Sequence, residues 1–238
     1  MTRIDSIARP VCTLAGAWAL ALFGLVCTLE PTVAQAQPAT ASLPATIPIF
    51  PLPDVTLFPH STQPFHIFEP RYRAMVTDAL AGDSIIGMVA LRPGYEANYE
   101  GRPPVYDVGC AGIIVASERL PDGRYNIVVR ALTKFRIDGE DPGRAYRLAR
   151  VRAMPEPIEE VDRPLLARRR RQVEEAVRAV APGARLPPRE VSDEEVIDGL
   201  SLMLPIDPPE RQGLLEADGP LERALELIRL LGRTTRAE

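Results

Sequence analysis

Two histidines and a glutamate close together in the chain, His60, His66 and Glu69, have the most direct claim to chemistry, because zinc takes imidazole and carboxylate donors. No further donor cluster stands near them in sequence, so the expectation is that no metal is bound. Lys134 is the only lysine, and a serine–lysine hydrolase would have to use it. It alternates with Phe135, Arg136 and Ile137, which places it on the charged side of a strand and reads as a solvated residue. No phosphate-binding loop of the form GxxxxGK[ST] occurs, so ATP hydrolysis is not expected. Cys110 lies in the apolar run GCAGIIVA with no histidine beside it, and reads as a buried thiol, not a nucleophile. Arg168–Arg171 is a basic run, but Glu174 and Glu175 follow four residues after Arg170 and Arg171 on the same helix faces. With a net charge of −4, that pattern argues against a nucleic-acid partner. Glu69 and Arg71 flank Pro70, and are expected to lock a corner, with Arg71 reaching carbonyls of an adjacent loop. These residues give no catalytic group and no cofactor.

The elements that must position them begin with Ile47–Gly82. Pro48, Pro51, Pro53, Pro59 and Pro64 suit strand edges, strand starts and turns. After Glu69-Pro70 the period changes: Tyr72, Met75, Val76, Ala79 and Leu80 share one helix face, with Pro70 in the first turn and Gly82 at the end. Ser84–Leu91 reads as a buried strand. Val105–Leu120 and Arg124–Ala131, joined by Pro121-Asp122-Gly123, read as a hairpin. Strand character continues through Phe135 and Ile137, a loop is expected over Asp138–Gly143, and a last strand over Tyr146–Met154. Short helices follow: one over Pro164–Ala181, one after the capping box Ser192–Glu195, one through Leu214-Leu215, and one burying Leu221, Leu225, Ile228 and Leu231.

Residues 1–36 carry an export signature: Arg3 and Arg9, an apolar Val11–Leu29, and Ala34-Gln35-Ala36 as a cleavage site. The apolar run is long enough that an uncleaved membrane anchor stays open, as does a cytoplasmic protein starting nearer Ile47. Residues 37–46 read as a flexible leader. About two hundred residues remain, enough for one large domain or two small ones. The expected location is the periplasm.

The run FPLPDVTLFP…QPFHIFEPRYRAMVTDAL over Phe50–Leu80 resembles the opening signature of the LON substrate-binding domain, and PIDPPERQGLLEADGPLERALELIRLL resembles the helical tail of its standalone members. That domain forms the amino-terminal part of Lon proteases and also occurs alone in small bacterial proteins and within cereblon. The resemblance implies an α+β fold: a β-rich, PUA-like barrel lobe over 47–154 with one early helix, then a C-terminal bundle of short α-helices over 155–238. It implies a non-catalytic module that recognises unfolded or partner polypeptides. The expected surface lies between the proline-rich ribbon (Phe58, Phe65, Phe68, with Leu57) and the first helix (Arg71, Tyr72, Met75). Two alternatives stay open. One is a small-molecule or enzymatic domain using the loop Arg92–Pro104, with Tyr95 and Tyr99 to stack on a ligand; the other is a membrane-associated scaffold.

Overall fold

The prolines of the first strand sit where the sheet can accommodate them. In the computed structural model, which describes residues 43–95, 101–142 and 144–234, β1 (Thr46–Leu52) pairs through residues 46–49 with one neighbour and through 49–52 with another. Pro48 and Pro51 therefore each lie in a half-strand with one partner, where a residue lacking an N–H is tolerated. The expected export signal and most of the leader lie outside the described residues. Leu43 packs against core residues and Thr46 is already in β1, so the fold begins slightly before Ile47.

The remaining elements follow as β2 (Thr62–Ile67), α1 (Pro70–Leu80), β3 (Ile85–Ala90), β4 (Val108–Arg119), β5 (Tyr125–Asp141), β6 (Arg147–Met154), α2 (Arg163–Val180), α3 (Asp193–Met203), α4 (Pro208–Glu216) and α5 (Gly219–Thr234). The sheet runs β2-β5-β4-β3-β1-β6, and β6 also pairs with β5, so β5, β4, β3, β1 and β6 form a closed barrel. Only the β1–β3 pairing is parallel, as expected for a mostly antiparallel barrel. The expected loop over Asp138–Gly143 is a correction: β5 continues to Asp141, because Gly139, Glu140 and Asp141 pair with β6 past a register shift after Ile137.

One cluster of apolar side chains draws on all five barrel strands, with Ile47, Ile49, Val89, Ala111, Phe135 and Ala149 among its members. Phe135 is fully buried there, and the strands beside it carry glycine: a Cβ on Gly87 would lie 2.8 Å from the Phe135 ring, and one on Gly109 2.7 Å. A larger cluster joins the opposite strand faces to the helices, from Phe50, Tyr72 and Met75 through Leu166 and Val173 to Leu227 and Leu231. Strands and helices thus share one core.

The hairpin matches its sequence, with Gly123 at φ +83 in the turn and Gly123 N–H donating to Leu120 O. Ser192 caps α3 by accepting from Glu195 N–H at 3.3 Å. The buried face of α5 is rotated from the expected one. Arg223, Ala224, Leu227, Leu230 and Leu231 are buried, whereas Leu221, Leu225 and Ile228 are only partly so. An arginine on that face disguised the stripe.

Candidate functional site

Strand β2 adds to the barrel at one place only. Thr62–Ile67 pairs with Arg130–Tyr125 of β5, and β5 pairs in turn with β4 through residues 113–119. The result is a three-stranded ribbon whose outer strand, β2, has no second partner among the described residues. Every second residue along a strand shares a face, so register fixes what the ribbon shows to solvent. His66, Asn126 and Glu118 stand side by side as one row; Pro64, Val128 and Ala116 stand beside them as the next.

The first row is a polar chain. His66 Nδ1 and Asn126 Oδ1 are 2.8 Å apart, and Asn126 Nδ2 donates to Glu118 Oε2 at 2.9 Å. Arg124 Nη1 closes on His66 Nε2 at 3.1 Å. The second row is apolar and lines an open groove of about 550 Å3. Phe68 ends the same strand face, stacked on His66 with ring centres 6.3 Å apart, and is 61% exposed.

The six side chains expected at a binding surface divide sharply. Phe58, Tyr72 and Met75 are buried in the core and are corrected on that ground; of the three, only Tyr72 borders a surface recess, beside the start of α1. Phe65 points inward and is half-buried, with its ring edge on Phe50 at 6.1 Å. Phe68 and Arg71 remain at the surface. Arg71 Nε donates to Glu69 Oε2 at 2.9 Å, its guanidinium lies 4.6 Å above the Tyr72 ring, and Nη1 reaches Gly101 O at 3.5 Å. The corner lock and the contact to the neighbouring loop are both present. Tyr99 lies outside the described residues, and Tyr95 is 42% exposed.

His60, His66 and Glu69 do not converge; each has its own protein partner, and no group of three ligating side chains comes together among the described residues. Cys110 is fully buried, and burial pushes its thiol well above the ordinary value, which keeps it protonated and inert.

The expectation for Lys134 fails because packed elements cover a charged strand residue. Lys134 is buried, not solvated: its ammonium donates to Ala217 O at 2.7 Å and pairs with Glu156 at 2.6 Å. Arg170 is also inward, donating to Glu174 at 2.9 Å, Asp193 at 3.2 Å and two carbonyls of residues 188 and 191. The expected Arg170–Glu174 pairing is present, but in the packed interface of α2. The Lys134 site extends further. Arg223, with no exposed surface, holds Glu156 through Nη2 at 2.8 and 2.9 Å, Asp198 through Nη1, and Leu214 O through Nε at 3.0 Å. His60 Nδ1 meets the other Asp198 oxygen at 2.9 Å. Burial works against the Arg223 charge, but Asp198 and Glu156 hold its pKa above the ordinary value. Loop, barrel strand and two helices are therefore tied by one buried charge cluster.

The site thus sits on a barrel capped by helices, with an open groove on a ribbon whose outer strand has one partner among the described residues. The chain belongs to the LON substrate-binding domain family: the model of the ATP-dependent protease La (LON) substrate-binding domain matches residues 46–233. Among similar proteins are the Lon protease of Trichlorobacter lovleyi, 26% identical over 215 residues, and that of Flavobacterium johnsoniae, 26% identical over 201. These matches cover 87% and 79% of this chain but only 26% and 24% of the proteases, so the chain spans about a quarter of their length. The same fold is found in a Lon N-terminal domain protein from Xanthomonas campestris (TM-score 0.54, 20% identity, 77% of this chain and 97% of that one). It is found again in the N-terminal domain of the Mycobacterium avium complex Lon protease (TM-score 0.57, 19% identity, 79% and 98%).

Proposed function

We propose that this chain holds exposed apolar segments of other polypeptides on the outer face of the β2–β5–β4 ribbon, and that it does so outside the cytoplasm. The observation that carries the reading is the groove beside Pro64, Val128 and Ala116, next to an outer strand whose far edge is unused among the described residues and an exposed Phe68. Covering such a surface releases roughly 25 cal/mol for each Å² of apolar area removed from water. Pairing with the outer edge of β2, which has no partner among the described residues, would add register without demanding any particular sequence, which suits a module with many clients. The polar row His66–Asn126–Glu118 beside the groove supplies side-chain donors and acceptors to a bound backbone.

Membership of a family described as the substrate-binding domain of a protease supports polypeptide as the ligand class. The basic start, apolar run and Ala34-Gln35-Ala36 of the sequence support export. The test is aggregation of a reduced, unfolding client with and without an equimolar amount of the protein. Suppression is expected from the native chain and weaker suppression from Phe68→Ser, whose fold should be unchanged. Equal suppression by both would remove the ribbon from the account, and no suppression by either would remove polypeptide binding.

A further inference from the structure

A second recess, about 270 Å3, lies between the start of α1 and the connection from β5 into β6. Its wall carries Arg71, Arg102, Arg144 and Arg147 with Tyr72 and Tyr146, and no carboxylate among the described residues. Three of the guanidiniums are held by acids set back from that wall. Arg71 bonds Glu69 at 2.9 Å, Arg144 bonds Asp78 at 2.6 Å, and Arg147 bonds Glu140 at 2.8 Å. Tyr146 OH also donates to Asp78, at 2.6 Å, fixing the acid that fixes Arg144.

Arg102 differs. Its Nη2 donates to Pro142 O at 3.1 Å and Arg144 O at 3.3 Å, and no acid pairs with it among the described residues. A guanidinium has five N–H donors in a planar fork. The Nε and Nη1 groups of Arg102, and the Nε and Nη2 groups of Arg144, have no protein acceptor among the described residues. Among the described residues, four cations facing three acids leave one positive charge, which a monoanion would balance. The volume equals roughly nine water molecules, room for a carboxylate and the few atoms attached to it. A phosphate dianion would leave surplus negative charge.

We infer that this recess binds a carboxylate, the free C-terminus of a polypeptide whose apolar residues lie on the ribbon. The identity of the ligand rests on the polypeptide-binding reading; the anion site itself does not. Phe68 ends the ribbon face and Arg71 begins the recess, and three residues span no more than about 11 Å, so one short segment reaches both. Arginine forks recognise carboxylates through paired, charge-assisted hydrogen bonds, which an amide cannot match.

The experiment uses the whole chain and follows arginine side-chain N–H signals by NMR. Titration with N-acetylglycine is expected to give saturable shifts at Arg102 and Arg144, absent with N-acetylglycinamide; the Arg144 shift is expected to be lost in Arg102→Gln and partly kept in Arg102→Lys. An apolar peptide with a free C-terminus is expected to bind about tenfold more tightly than its amide, and equally to it in Arg102→Gln. A peptide pair that binds the native chain equally overturns the inference and leaves the ribbon reading intact. N-acetylglycine binding with no binding of either peptide supports the anion site and overturns the ribbon reading. No shift with N-acetylglycine, or displacement of it by far lower concentrations of inorganic phosphate, overturns the carboxylate assignment.

Discussion

Arg223 has no exposed surface and makes charged contacts to Glu156 and Asp198. Removing one member of a buried ionic cluster leaves the others desolvated and unpaired, which costs more than the cluster contributes net. Arg223→Met is therefore expected to destabilise the fold by about 3–5 kcal/mol, read from urea unfolding. His60 is the member of the cluster with an accessible proton, its side chain being 54% exposed. The Asp198 hydrogen bond raises its pKa above the ordinary 6.5, against burial, with Glu194 and Glu195 adding to the rise. A raised folded-state pKa means the His60 contribution is full below 6.5 and fades as pH rises through the folded value. Stability should fall over that window in the native chain, and His60→Asn should flatten the fall. None of this was legible in the sequence. Lys134 stands between Thr133 and Phe135 on the side of β5 that alternation assigns to solvent, and only the packing of the α4–α5 connection onto that side buries it. The corner at Glu69 and Arg71 was legible, because both partners lie within one turn of chain.

At the scale of elements, local chemistry was the reliable guide. The Pro121-Asp122-Gly123 turn and the proline-to-helix change at Pro70 each rest on a few consecutive residues, and both stand where the sequence puts them. The extent of β5 was not legible, since its last residues are held by pairing with β6 across a register shift rather than by their own propensity. The same non-local logic governs the barrel core. Gly87 leaves space that Phe135 fills, and a methyl group there would lie 2.8 Å from the Phe135 ring and 2.9 Å from Ile47 Cδ1. Gly87→Ala is expected to destabilise by about 1–3 kcal/mol, seen as a lowered urea midpoint with an unchanged slope. Of the expected binding residues, periodicity could mark Phe58, Tyr72 and Met75 as apolar but not as interior. A helix face and a ribbon that pack on each other satisfy the pattern as well as a groove does.

For the whole molecule, the charge cluster explains how a barrel and a helical cap behave as one body. Lys134 comes from the barrel, Glu156 from the connection, Asp198 and Arg223 from the cap, and His60 from the loop before the ribbon. Among the described residues the outer edge of the ribbon is unpaired, the state in which a strand can accept another chain. Export has its own test: intact mass of the protein from fractionated native cells should match a chain cut after Ala36 and found outside the cytoplasm. The ribbon is tested most directly by hydrogen–deuterium exchange on the full chain, with and without a reduced, carboxymethylated client. The account expects new protection at residues 62–68, with the barrel interior unchanged. Protection confined to the helical cap, or none on the ribbon at saturating client, would contradict it.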